Sequence, residues 1–208
     1  MNQLKHINAA LIEDDYRNDI STKLVPYVNK SSAILKSKES FYIYGLKWFQ
    51  KVFKHVDKKT TISFLVKDGD YVKKNKILAN IKGSNHSILK AERVALNYLQ
   101  IMSGVYDICK QYNKKINNKH KIKILHTRKT PPLLKLPISE ACTAAMCLPH
   151  RYSLSTSVLF KENHLKSIDD PKTLIRNAVK KHKKVVVEAK SLEFARKLAG
   201  LGIDRVLL

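Results

Sequence analysis

Along positions 60–84, "TTISFLVKDGDYVKKNKILANIKGS", apolar and polar residues alternate with a period of two. That period predicts strands, and the "KDGD" in the middle is a tight-turn signal between them. From Ser87 the period changes. Leu89, Val94, Leu96, Leu99, Met102, Val105, Cys109 and Tyr112 recur near helical spacing, which predicts one long helix of about six turns. Upstream, "SAILKSKESFYIYGLKWFQKVF" (32–53) reads as a strand with a turn, then a helix entered after Gly45. "LIEDDYRNDISTKLVP" (11–26) reads as a helix end, a polar turn and a short segment stopped by Pro26. The polar run "NKKINNKHK" (113–121) predicts a linker between a first domain, 1–112, and a second, 121–208.

In the second domain the pattern becomes strand, loop, helix, repeated. "KIKIL" (121–125), "SVLF" (157–160), "KVVVE" (184–188) and "DRVLL" (204–208) read as strands. Helices are predicted over "PKTLIRNAVKKHK" (171–183) and "SLEFARKLAGLG" (191–202), the latter with Ser191 as its N-cap and Gly200 and Gly202 as stop signals. Alternating β and α units imply parallel strands, in an open sheet or a barrel. In such folds function gathers at the carboxyl ends of the strands. The polar residues there are Arg128 and Lys129, then Lys161, Glu162, Asn163 and His164, then Glu188. Lys161 or Glu188 alone reads equally well as a loop residue. Together the strand-end residues form a mostly cationic rim suited to an anionic substrate, with a carboxylate able to hold a metal on a phosphate. Two unit charges about 4 Å apart attract by ~4 kcal/mol at an effective dielectric near 20, so two or three cations orient a dianion strongly.

Charge alters this picture less than its size suggests. The chain of 208 residues carries a net charge of +23, from 40 basic and 17 acidic residues. Such a balance usually points to nucleic acid. Here 33 of the 40 are lysines, strewn through every segment, and no nucleic-acid-binding motif accompanies them, so no nucleic-acid partner is expected. Against that background the seven arginines are informative, because a retained guanidinium suggests that a planar, bidentate fork is wanted. Arg93, Arg128 and Arg151 sit in distinctive local sequences; Arg17, Arg176, Arg196 and Arg205 sit in surface-like patterns. Arg93, beside Glu92, also reads simply as part of a solvated first turn. No run approaches the roughly 18 apolar residues of a membrane span, and the opening "MNQLKHINAALIEDDYRND" shows no targeting signal, so a cytoplasmic protein is expected. Cys109, Cys142 and Cys147 fit no zinc spacing.

Four motifs then occur in register: "ILKAERVALNYLQIMSGV" (88–105), "TRKT" (127–130), "PHRYSLS" (149–155) and "LFKENHL" (159–165). With "EDDYRNDIST" and "KDGDYVKKNKILANIKG", they resemble the quinolinate phosphoribosyltransferase (nicotinate-nucleotide pyrophosphorylase) family over essentially the whole chain. "PHR" is more similar to its molybdenum-transport-associated pyrophosphorylase branch, and "KENH" to the quinolinate enzymes. The resemblance implies an α/β fold: an N-terminal α/β sandwich, then a partial TIM-like β/α barrel. It implies a homodimer with shared active sites. The activity implied converts quinolinate and phosphoribosyl pyrophosphate to nicotinate mononucleotide, pyrophosphate and CO2, for NAD biosynthesis, with Mg2+. Carried onto this sequence, Arg128, His150, Arg151 and Lys161 would bind the quinolinate dianion, with Arg93 supplied by the second subunit. Lys129 would contact phosphoribosyl pyrophosphate, and Glu188 would be catalytic and hold the metal. The alternatives are a branch member acting on another heterocycle, or an impaired member that only binds an anion.

The sequence departs from the family pattern at several places. His126 stands where the family usually has Asp, and Lys190 where it often has a carboxylate. "LLKLPISEACTAAMCL" (133–148), with Glu140, has Ala145-Met146 in place of a Gly-Gly pair. After "DRVLL" the family continues with an Asp-Asn pair, further strands and a glycine-rich phosphate loop. The sequence is therefore expected to be a fragment of a longer chain or a degenerate copy.

Overall fold

The computed structural model describes residues 2–116 and 122–208. Packing gathers the chain into two compact units, Met1–Pro149 and His150–Leu208. Of the polar run read as a linker, Asn113–Lys115 continue the long helix and residues 117–121 lie outside the described residues.

In the first unit, helices α1 (Gln3–Glu13) and α2 (Ile20–Leu24) precede strands β1 (Ser31–Lys36) and β2 (Phe41–Tyr42). Then come α3 (Leu46–Val56), β3 (Thr61–Phe64), β4 (Tyr71–Val72), β5 (Ile77–Gly83) and α4 (Asn85–Lys115). The unit closes with β6 (Leu125–His126), α5 (Lys135–Ala144) and β7 (Leu148–Pro149). Trp48, Phe49, Val52 and Phe53 fall on one face of α3 and are buried against Met102 and Tyr98 of α4, Ile7 and Leu11 of α1, and Ile43. Each such side chain contributes about 1.5–3 kcal/mol by leaving water, so this seam dominates the unit's stability.

The "KDGD" turn reverses the chain as read, but the strands flanking it do not pair with each other. β3 and β1 both pair antiparallel with β5, while β4 pairs with β2. Instead the turn docks on the chain entering α3: Gly69 N donates to Ile43 O (2.7 Å), and Ile43 N donates to Asp70 O (3.0 Å). Asp68 Oδ1 accepts from the backbone N–H of Gly45 (2.8 Å) and Leu46 (3.0 Å). Gly45 has no side chain to cap α3, so Asp68 supplies the missing acceptor from a remote turn.

The second unit holds β8 (Val158–Phe160), α6 (Glu162–Leu165), α7 (Pro171–Lys181), β9 (Val185–Glu188), α8 (Leu192–Leu198) and β10 (Arg205–Leu207). Its sheet is parallel, in the order β10-β9-β8, as the β/α alternation predicts. Central β9 is buried on both faces, through Val185, Val186 and Val187, as a covered parallel strand requires. Asp170 caps α7 ahead of Pro171, and Ser191 caps α8; Gly200 and Gly202 then take the left-handed backbone that ends it. The result is a mixed α/β fold of two units. Among the described residues no helix is long and apolar enough to cross a membrane.

Candidate active site

β6 and β7 run parallel, with Leu125 opposite Leu148 and His126 opposite Pro149. The chain leaves β6 into exposed Arg128 and Lys129 through a tight local turn. Lys129 N donates to Thr127 Oγ1 (3.2 Å) and Thr130 N to Arg128 O (3.0 Å), and two prolines follow. The turn spends backbone groups and leaves both cationic side chains without a hydrogen bond or ion pair among the described residues. His126 is tied down instead, its Nε2 3.3 Å from Ser139 Oγ on α5. Arg93 lies exposed on α4, also unpaired among the described residues.

α5 ends in a Schellman motif: Cys147 N donates to Cys142 O (2.9 Å) and Met146 N to Thr143 O (3.0 Å). The motif puts its C′ residue in the left-handed region, and here that residue is Met146, at φ 66° with its side chain exposed. A non-glycine residue there costs about 1–2 kcal/mol, part of which glycine gives back in chain entropy. Met146→Gly should therefore raise the unfolding free energy by about 0.5–1 kcal/mol, read from the denaturant midpoint. An unchanged or lower midpoint would mean the methionine side chain stabilises the turn by other contacts. α5 also brings Cys142 and Cys147 to Cys109 on α4, a gathering that sequence spacing did not reveal; burial pushes Cys147 up to about 11, so it is a thiol at neutral pH.

In the second unit, Lys161 follows β8 and Glu188 ends β9, in strands registered Phe160 to Val187. The two are thus neighbours at the carboxyl edge of the sheet. Lys161 opens α6: its N–H donates to His164 Nδ1 (3.0 Å), and His164 N donates back to its carbonyl (2.9 Å). The side chains of Lys161 and Glu188 have no partner among the described residues. Lys190 is paired with Glu162, which also lies 3.7 Å from Lys166; Lys190 first, then Lys166, holds the Glu162 carboxyl below its ordinary value.

His150 and Arg151 group elsewhere in this unit. Arg151 Nη1 donates to the carbonyl of Ser157 (3.4 Å), just ahead of β8, and His150 lies near Arg205 at the start of β10. Burial pushes His150 below its ordinary value, the guanidiniums of Arg205 and Arg151 add to this, and Asp204 opposes it. Arg205 pairs with Asp204 at 3.1 Å, and its Nη1 is buried without a hydrogen-bond partner among the described residues. The structure therefore brings Lys161 and Glu188 together at one end of the strands, and His150 and Arg151 with Arg205 at the other. Arg205, whose local sequence is surface-like, is instead partly buried. Its place in the alternation, one residue before Val206 and two before Leu207, was the available signal for an inward side chain. Among the described residues no group of three or more His, Cys, Asp or Glu side chains is arranged to hold a metal ion by itself.

The sequence profile of the quinolinate phosphoribosyl transferase N-terminal domain matches residues 19–103, and that of the C-terminal domain matches residues 106–208. The chain belongs to the quinolinate phosphoribosyl transferase family. It is 33% identical over 176 residues to the chloroplastic nicotinate-nucleotide pyrophosphorylase [carboxylating] of Arabidopsis thaliana, covering 84% of this chain and 49% of that protein. To the probable nicotinate-nucleotide pyrophosphorylase of Synechocystis it is 27% identical over 201 residues, covering 95% of this chain and 68% of that one. Among solved structures it superposes on NadC from Streptococcus pyogenes with a TM-score of 0.87 at 33% identity, covering 97% of this chain and 73% of that one. The chain spans about half the length of the plant relatives it matches. Within the family fold, two of the departures seen in sequence now have a local account. His126 is held by Ser139, and Lys190 by Glu162.

Proposed function

We propose that this chain carries the anion-binding part of a quinolinate phosphoribosyltransferase, acting as a cytoplasmic homodimer without a nucleic-acid or membrane partner. The observation that carries the reading is the consecutive match of both family domains across 19–208. The resemblance assigns the two carboxylates of quinolinate to Arg128, His150, Arg151 and Lys161, with Arg93 supplied by the second subunit; His150 and Arg151, grouped here at the other end of the strands from Lys161, must move toward the ligand for all four to engage it. Guanidinium forks hold carboxylates bidentately, which fixes the ring as well as its charge. With the pyridine nitrogen facing the anomeric carbon of phosphoribosyl pyrophosphate, a chance encounter becomes a positioned one. The nitrogen attacks that carbon, the C–O bond to pyrophosphate breaks, and Lys129 steadies the departing anion. The ring, now cationic at nitrogen, draws in the electron pair of the adjacent C–C bond as CO2 leaves, and the ring carbon left with that pair takes a proton from solvent.

Mg2+ keeps most of its ligands as water and substrate phosphate, needing only one or two carboxylates. The unengaged Glu188 carboxylate fits that need, and when bound the ion neutralises pyrophosphate charge. Isothermal titration of quinolinate should show saturable binding that Arg151→Ala weakens by about 100-fold, the loss of a charge-assisted pair worth ~3 kcal/mol. Absence of binding to the wild-type chain would overturn the reading. Binding without pyrophosphate release would favour an impaired family member, and binding of a different heterocycle the molybdenum-associated branch.

A further inference from the structure

We propose that a basic cleft in the first unit is a second anion site, one that binds a small polyphosphate group. The cleft encloses about 920 Å3 where β1 begins, β5 ends and α4 starts. Arg17, Lys30, Lys59, Lys82 and Lys90 line it, and none of these also belongs to the strand-end candidates. They come from five separate stretches of chain, so only folding brings them together. None of the five forms an ion pair among the described residues. The one carboxylate in the lining is Asp57, and it is already spent. It accepts from Lys59 N (2.8 Å) and Ser87 Oγ (2.9 Å), bonds that hold its carboxyl below the ordinary value. Asp19, which feels Lys90 from α2, is occupied in the same way by Thr22.

Five like charges around one cavity repel one another, and a multiply charged anion converts that repulsion into binding. The start of α4 adds its positive field. Its first amides add no donors, because Ser84, Asn85 and Val28 already take them. The donors are the cations and the hydroxyls between them. Behind Gly83 on the floor, and not itself lining the cleft, Thr60 Oγ1 is fully buried with no hydrogen-bond partner among the described residues; a β-carbon on Gly83 would come within 2.9 Å of it. A buried hydroxyl without a partner is uncommon and calls for an explanation such as a bound ion or water. The volume exceeds one phosphate and the cations outnumber those a carboxylate needs, which selects a polyphosphate, free or as the tail of a nucleotide.

Amine acylation of the full chain, mapped by mass spectrometry with and without saturating inorganic pyrophosphate or ATP at fixed ionic strength, tests this. Lys30, Lys59, Lys82 and Lys90 should be modified about fivefold less with ligand, and Lys172 and Lys180 equally in both, as occupancy of one site requires. Protection by pyrophosphate alone assigns a free polyphosphate; protection by both assigns the shared phosphate chemistry. The doubly substituted chain Arg17→Ala, Lys82→Glu should lose protection at Lys59 and Lys90 while keeping its unfolding midpoint. Uniform protection of all lysines, protection by a DNA duplex alone, or protection confined to Lys129 and Lys161 would each overturn the cleft, and the last would leave the proposed transferase reading intact.

Discussion

Gly45→Ala should lower the unfolding free energy by about 3 kcal/mol, among the largest losses available from adding one carbon to this chain. Gly45 sits at φ 110° and ψ 15°, a conformation that costs an L-residue on the order of 1–3 kcal/mol wherever it occurs. Space is also short. A β-carbon there would lie 3.1 Å from Cβ and Sδ of Met102, in the most tightly buried part of the α3–α4 seam, and overpacking of this kind costs about 1–3 kcal/mol. Nor can the backbone rotate to relieve it, because the amides of Gly45 and Leu46 are both held by Asp68. Denaturant unfolding followed by far-ultraviolet circular dichroism measures the loss. A change under about 1 kcal/mol would mean that α3 can shift on α4, contrary to the close packing described.

That junction also shows what local pattern could and could not reveal. Helices α3, α4, α7 and α8 were legible because each buries one face, and burial on a helix imposes its own period on the sequence. The turn at "KDGD" was legible as a reversal, but a turn signal does not name its strands' partners. Pairing of β3 with β5 and β4 with β2 depends on residues far apart in the chain. α5 was missed for a different reason. "LLKLPISEACTA" is apolar on most sides and has Pro137 in its first turn, where proline is tolerated but reads as a break. At the candidate site, strand ends could be read from the β/α alternation, so Lys161 and Glu188 fall where that alternation puts them. Arg17 could not, since its significance lies in neighbours brought in from other segments, and for Arg205 the alternation signalled only an inward side chain, not its partners His150 and Asp204. The cysteines repeat the lesson: Cys109 stands more than 30 positions from Cys142 and meets it only through the packing of α4 on α5.

Glu140, which in sequence marks a departure from the family pattern, should prove structural. Its Oε2 accepts the indole N–H of Trp48 at 2.7 Å and a hydrogen bond from Gln3 Nε2 at 3.2 Å, and the Gln3 carbonyl in turn accepts from Lys51. One carboxylate thereby ties α5 to α1 and α3. Trp48 is 1% exposed, so water cannot replace a lost acceptor there. Glu140→Ala strands that buried donor and removes a charge-assisted bond, costing about 2–3 kcal/mol. Glu140→Gln keeps an acceptor of the same length and should recover more than half of the loss. The readout is unusually local, because Trp48 is the only tryptophan in the chain. Its near-ultraviolet circular dichroism band should weaken in Glu140→Ala and persist in Glu140→Gln. If both variants kept the band and the wild-type midpoint, α5 would have to be held by its apolar face alone. The carboxylate would then be free for a ligand, which is the one result that would make Glu140 a candidate functional residue.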